Sequence, residues 1–89
     1  MENPPFLTQI GTAQDDFLIG TPDADALIGR AGNDTLNGRG GSDLLYGAQG
    51  NDRLLGRGGQ DTLKGFQGKD FLEGGLGDDR LFGHGGKIF

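Results

Sequence analysis

The sequence predicts an all-β fold: a parallel β-solenoid in which two nine-residue units make one 18-residue coil and about four coils stack. Three observations lead to this prediction. Phrases similar to "GRGGSDLLYG" return every nine residues, glycine, aspartate and leucine each keep a fixed phase of that period, and the apolar stretches are short. A fixed short period is typical of proteins in which copies of one unit stack on each other.

The period divides the chain into three parts. Residues 1–10 are predicted to be an N-terminal extension or cap, residues 11–82 hold eight complete nonapeptides, and residues 83–89 are a truncated ninth unit. Counting in nines places Ile88 where the ninth aspartate is expected. Because a solenoid exposes strand edges at its ends, the truncated unit is predicted to cap the last coil or to serve as a docking end.

Glycines mark the predicted turns in two phases. Position one, counted from Gly11, is always glycine: Gly11, Gly20, Gly29, Gly38, Gly47, Gly56, Gly65, Gly74 and Gly83. Position four is Gln14 and Asp23 in the first two units and glycine afterwards: Gly32, Gly41, Gly50, Gly59, Gly68, Gly77 and Gly86. Glycine favours a tight turn that visits positive φ and leaves backbone carbonyls free to point at a common centre.

Leucines mark the predicted strands. Position eight is leucine in all eight complete units: Leu18, Leu27, Leu36, Leu45, Leu54, Leu63, Leu72 and Leu81. Positions seven to nine have strand character, and their alternation directs the leucine to one face and its neighbours to the other. One inward leucine per unit is a thin core, so the units must pair with copies of themselves.

Aspartates occupy position six in all eight complete units. Stacking in 18-residue coils places them in two ladders: Asp16, Asp34, Asp52 and Asp70 in one, and Asp25, Asp43, Asp61 and Asp79 in the other. Carboxylates at the spacing of paired strands, about 4.8 Å, repel each other. A cation between successive aspartates would remove this repulsion.

The oxygen-rich ligand set predicts calcium. Carboxylates and carbonyls, with no cysteine and a single histidine, select a hard cation, and calcium accepts irregular oxygen geometry better than magnesium does. Four aspartates leave three gaps in each ladder, so about six interior sites are expected. Turn glycines complete the predicted ligand set, some through their carbonyls: Gly29, Gly32, Gly38, Gly41, Gly47, Gly50, Gly56, Gly59, Gly65, Gly68, Gly74 and Gly77.

Composition narrows the function. A chain of 89 residues with 20 glycines and no cysteine needs support beyond its core, and metal binding or self-association could supply it. The net charge of -5, with no basic stripe, argues against nucleic acid. The sequence has no apolar run long enough for a transmembrane segment and no pattern of a secretory signal. The single histidine, His84, has no nucleophile or base as a catalytic partner, so no enzyme is predicted.

Some residues permit two interpretations. The position-six aspartates could serve as turn formers alone, although a turn would also accept Asn, Ser or Gly. Asp15, Asp23 and Asp78 are interpreted as solvated turn residues, with Asp23 a possible extra ligand. Large apolar residues at outward strand positions indicate either a partner surface or simple β-propensity: Phe17, Ile19, Ile28, Leu44, Tyr46, Leu55, Phe71 and Phe82.

The units resemble the calcium-binding nonapeptide G-G-x-G-x-D-x-U-x of the repeats-in-toxin (RTX) family, from Gly11 to about Phe82. The resemblance implies a right-handed parallel β-roll with calcium between successive turns. It also implies a chain that is disordered without calcium, folds on binding it, and is exported by a type I route to the extracellular space without a cleaved N-terminal signal. At position two only Gly75 follows the family pattern, and the other residues depart from it: Thr12, Thr21, Arg30, Arg39, Ala48, Arg57, Phe66 and His84.

Two functional hypotheses follow. In the first, the chain is a secretion-coupled folding and structural module that depends on calcium. In the second, it is a small stand-alone protein that assembles head to tail into calcium-dependent extracellular filaments. The ends would then dock so that Asp79 and Asp70 face Asp25 and Asp16 of the next molecule.

Overall fold

The computed structural model describes residues 7–88, which form eight strands and no helix. The strands are β1 (Leu7–Ile10), β2 (Phe17–Ile19), β3 (Asp25–Ile28), β4 (Thr35–Asn37), β5 (Leu44–Tyr46), β6 (Arg53–Leu55), β7 (Thr62–Glu73) and β8 (Arg80–Ile88). Among these residues there is accordingly no helix long and apolar enough to cross a bilayer. Four residues of the predicted N-terminal extension are β1, and the rest of that segment lies outside the described residues.

Each strand pairs in parallel with the equivalent strand of the next coil. Leu27 lies beside Leu45, and Leu36 lies beside Leu54, in each case 18 residues apart. Strands β1, β3, β5 and the first part of β7 form one side of the solenoid, and β2, β4, β6 and the last part of β7 form the other. The predicted all-β parallel β-roll with 18-residue coils is therefore confirmed.

The core is a double column of leucines between the two sides. Six of them are fully buried: Leu27, Leu36, Leu45, Leu54, Leu63 and Leu72. Leu18 and Leu81 pack against this cluster from its two ends. Burying a leucine contributes about 1.5–3 kcal/mol, so these side chains are the main apolar contribution of each coil.

The two glycine phases have different structural reasons. Position-four glycines adopt positive φ, from 81° at Gly41 to 104° at Gly50, as predicted. Position-one glycines do not adopt positive φ. They are required because a side chain would meet the aspartate of the same unit: a Cβ on Gly47 would lie 2.5 Å from Oδ2 of Asp52. The second left-handed residue of the turn is instead at position two, in five residues that are not glycine: Arg30, Arg39, Ala48, Arg57 and Phe66.

The last unit does not keep the 18-residue interval that the sequence predicted. Strand β8 starts in the expected register, with Arg80 beside Thr62, but Ile88 lies beside Leu72 and only 16 residues separate them. Gly86, not Ile88, lies beside Asp70. The placement of Ile88 at the aspartate position was therefore wrong, because the ninth turn uses two fewer residues and brings an apolar side chain to the leucine position.

The outward apolar residues partly cover one another. Tyr46 and Phe66 make an edge-to-face contact with ring centroids 5.5 Å apart, and the Lys64 ammonium lies 5.5 Å from the centroids of both Tyr46 and Phe82. Phe17 and Phe82 remain more than half exposed. The partner surface stays a prediction.

Candidate metal centre

The predicted aspartates lie in two columns, one along each turn edge of the solenoid. Six of the eight are buried: Asp25, Asp34, Asp43, Asp52, Asp61 and Asp70. Asp16 and Asp79, at opposite ends of the two columns, are half-buried. The 18-residue coil therefore brings together the residues that the sequence assigned to each ladder.

Backbone hydrogen bonds hold the carboxylates in line. In six of the eight aspartates the N–H donates to Oδ1 of the aspartate in the next coil; for example, the Asp34 N–H lies 2.7 Å from Asp52 Oδ1 and the Asp43 N–H 2.8 Å from Asp61 Oδ1. The same bond joins Asp16 to Asp34 at 2.7 Å. Each ladder is thus a continuous chain of backbone and side-chain contacts, which uses the Oδ1 atom of every aspartate after the first.

The other oxygen is the unusual feature of this site. Oδ2 is buried without a hydrogen-bond partner in Asp34, Asp43, Asp52 and Asp61. Each of these oxygens lies against the position-one glycine of its own unit, where no Cβ stands in the way. Burying a charged oxygen without a partner costs several kcal/mol, so these atoms are poised for a cation.

The pKa values of these aspartates also reflect the cost of burying carboxylates close to one another. Burial, together with the charge of the neighbouring aspartates, raises the pKa of Asp43 and of Asp52 from 3.8 to about 7. The pKa of Asp61 rises to about 6, again chiefly because of burial, and the pKa of Asp34 is raised as well. Hydrogen bonds from backbone N–H groups oppose these shifts without cancelling them. A divalent cation would favour the ionised form instead.

Calcium fits this donor set. The orphaned atoms are hard carboxylate oxygens, and they lie in glycine turns whose carbonyls are close to the next coil; the Gly41 carbonyl, for example, occupies the space that a Cβ on Gly59 would need. Residues 7–88 contain no cluster of three or more His, Cys, Asp or Glu side chains suited to a metal. A cation here would therefore need backbone carbonyls beside the carboxylates, which calcium accepts readily.

The predicted glycines occupy two distinct places around the columns. Those at position one are buried beside the carboxylates: Gly29, Gly38, Gly47, Gly56, Gly65 and Gly74. Those at position four lie where successive turns approach: Gly32, Gly41, Gly50, Gly59, Gly68 and Gly77. Their ligand role stays a prediction.

Sequence reasoning missed a third ladder, which is formed by residues at position five. The Asn33 N–H donates to Asp15 Oδ1 at 2.7 Å, the Asn51 N–H to Asn33 Oδ1 at 2.8 Å, and the Lys69 N–H to Asn51 Oδ1 at 2.8 Å. Asp15 is therefore not merely a solvated turn residue. The recurrence of Asn at an interval of 18 was the available signal.

The remaining extra acids lie at the surface. Asp23 and Asp78 are exposed, as expected for solvated turn residues. The side chain of His84 lies outside the described part of the chain.

Comparison with protein families agrees with this geometry. The model of the RTX calcium-binding nonapeptide repeat matches four overlapping stretches: 10–45, 28–63, 46–81 and 64–87. Together these matches span residues 10–87. No curated protein and no solved structure gives a significant match to the chain. The chain belongs to the RTX calcium-binding nonapeptide repeat family.

Proposed function

We propose that this calcium-binding β-roll is disordered without calcium and folds when calcium ions bind between its stacked turns. The single observation that carries the proposal is the set of buried, unpartnered Oδ2 atoms on Asp34, Asp43, Asp52 and Asp61. A bare fold must hold these oxygens charged and unsatisfied, or must protonate them. The fold therefore lacks a partner that calcium supplies.

The ligands of the proposal are the carboxylates along each column, with backbone carbonyls of the glycine turns. Within these columns, the oxygens that lack a partner are Oδ2 of Asp34, Asp43, Asp52 and Asp61. Bound calcium neutralises the like charges and supplies a partner for the open oxygens. Because calcium binds the folded state, its binding free energy adds to the folding free energy.

The biological role in this proposal is that of a secretion-coupled structural module. Calcium sites of extracellular modules bind at about 10⁻⁴–10⁻³ M, which keeps such a chain unfolded at low calcium and orders it where calcium is abundant. Type I export and an extracellular destination are supported by the family and by this linkage. Members of this family are structural modules rather than typical catalysts, and the proposal assigns no catalytic residue.

The direct test is far-UV circular dichroism during a calcium titration, with magnesium in parallel. We expect a cooperative coil-to-β transition with calcium alone. Asp52→Asn with Asp61→Asn should raise the calcium midpoint at least tenfold, while Asp78→Asn, on the exposed surface, should leave it within twofold. A chain that gains no β structure with calcium, or that responds equally to magnesium, would contradict the proposal.

A second candidate function is head-to-tail assembly. Edge strand β2 exposes Phe17 and Ile19, and the opposite end exposes Phe82 and Ile88. The joint differs from the one that the sequence predicted. Gly86 of β8 lies beside Asp70, and Leu7 of β1 lies beside Asp25, so neither aspartate is at the open end of its column. Light scattering during the same titration tests it: scattering that rises with protein concentration after folding supports assembly, and constant low scattering excludes it.

A further inference from the structure

We propose that Thr12 and Thr21 lock the first aspartate of each ladder without metal, so that the calcium ladders begin at Asp34 and Asp43. This inference rests on the proposed function. It makes the first coil a cap that binds no calcium of its own, and it lowers the expected number of calcium ions.

Hydrogen bonds within the first two units carry the inference. The Thr12 N–H lies 2.6 Å from Asp16 Oδ2, and the Thr12 hydroxyl lies 3.1 and 3.2 Å from the two carboxylate oxygens. The Thr21 N–H lies 2.6 Å from Asp25 Oδ2, and its hydroxyl lies 3.0 and 3.1 Å from the same carboxylate. The oxygen left open in later units thus has charge-assisted partners here.

A second contact orients each hydroxyl. The Gln14 N–H donates to the Thr12 Oγ1 at 3.1 Å, and the Asp23 N–H donates to the Thr21 Oγ1 at 3.1 Å. Because the hydroxyl oxygen accepts this bond, its hydrogen is free to point at the carboxylate. The same contact explains why position four is not glycine in these units: the turn is closed by threonine and not by a left-handed residue.

Asp25 and Asp43 provide an internal comparison. They are neighbours in one ladder and equally buried, with 4% and 3% of their surface exposed. Oδ2 of Asp25 accepts the Thr21 N–H, whereas Oδ2 of Asp43 has no hydrogen-bond partner. The difference lies at position two of the unit. Asp25 has Thr21 at this position, whereas Asp43 has Arg39, which is in the left-handed conformation and has no hydroxyl group.

The locks change the expected stoichiometry. Each ladder of four aspartates has three gaps, and the first gap of each is bordered by a locked carboxylate. Two gaps per ladder remain between aspartates whose units have no threonine at position two, from Asp34 to Asp70 and from Asp43 to Asp79. We therefore expect about four tightly bound calcium ions per chain in place of six.

The test compares calcium stoichiometry by isothermal titration calorimetry in the wild type and two double variants. Asp16→Asn with Asp25→Asn should keep the wild-type count of about four calcium ions. Asp52→Asn with Asp61→Asn, the matched interior pair, should lose at least two ions. A count of six in the wild type, or a lower count after the Asp16 and Asp25 substitutions, would overturn the inference and leave the proposed function standing.

The threonines are tested separately, by circular dichroism. Thr12→Val with Thr21→Val should raise the calcium concentration at half-folding at least threefold, and Thr12→Ser with Thr21→Ser should restore the wild-type midpoint. An unchanged midpoint in the valine variant would overturn the lock. A wild-type chain that binds no calcium would instead refute the proposed function, and the lock with it.

Discussion

At the residue scale, glycine has two distinct purposes in this repeat. Gly47 at position one leaves room for the carboxylate of Asp52, whereas Gly50 at position four combines φ of 104° with a close approach to the Gly32 carbonyl. Both purposes concern the turn and not the strand. The sequence predicted glycine turns correctly, but the reason at position one depends on a carboxylate that only the folded coil brings near.

Substitution of Gly50 by alanine should be costly. The added Cβ would clash with the Gly32 carbonyl, and alanine would be held in a left-handed conformation. We expect the calcium-loaded protein to lose about 2 kcal/mol of unfolding free energy. Urea denaturation at saturating calcium measures this loss.

Gly58 is the matched control. It lies in the same type of turn, but an added Cβ would meet no atom within 4 Å and its φ is not in the positive range. Gly58→Ala should leave stability unchanged or raise it by about 0.4–1 kcal/mol, because the unfolded chain loses freedom. Equal losses in the two variants would show that turn packing is not the cause.

At the scale of the element, the strands are short and derive their stability from the leucine column. Strand β6 contributes one fully buried side chain, Leu54, from only three residues. Its neighbours β4 and β7 align Leu36 and Leu72 on either side. The coils therefore depend on one another, and a cavity in one is felt by both neighbours.

Leu54→Ala should destabilise the calcium-loaded roll by about 2–5 kcal/mol, the range for a buried leucine truncated in a tightly packed core. Leu76→Ala should have little effect, because Leu76 is 81% exposed in a turn. Thermal denaturation of both variants at saturating calcium separates the two outcomes. A small effect at Leu54 would mean that calcium, and not the leucine column, holds the coils together.

The last element shows where prediction from the sequence stopped. A constant period predicts the strands as far as Leu81, because every pairing up to that point keeps the interval of 18 residues. The turn before Ile88 is two residues shorter than the others. The amino-acid sequence gives no signal of this, and only the pairing of β8 with β7 shows it. The threonine contacts were missed for a related reason: Thr12 and Thr21 were treated as departures from glycine, although both lie in the two units that lack glycine at position four.

At the scale of the whole molecule, two columns of acids run along the edges of a particle measuring 40 × 28 × 14 Å. Each interior unit buries one leucine and one aspartate, so every coil that adds apolar burial also adds buried charge. The fold without calcium is a balance between these two effects. The balance depends on pH, because protons and calcium compete for the same oxygens.

The calcium-free protein should gain β structure as the pH falls. Burial raises the pKa of Asp43 and Asp52 to about 7 and that of Asp61 to about 6, whereas the unfolded chain titrates near 3.8. The folded state therefore binds more protons, so this contribution to stability is complete below pH 3.8 and is lost as the pH rises through 6 and 7. Circular dichroism in calcium-free buffer between pH 4 and 8 should show the gain, and the calcium midpoint should rise at the acidic end. Asp52→Asn with Asp61→Asn should flatten the calcium-free pH profile, since an amide has no proton to take up; a wild-type profile already flat, or one that gains structure toward alkaline pH, would show that the buried carboxylates do not control folding.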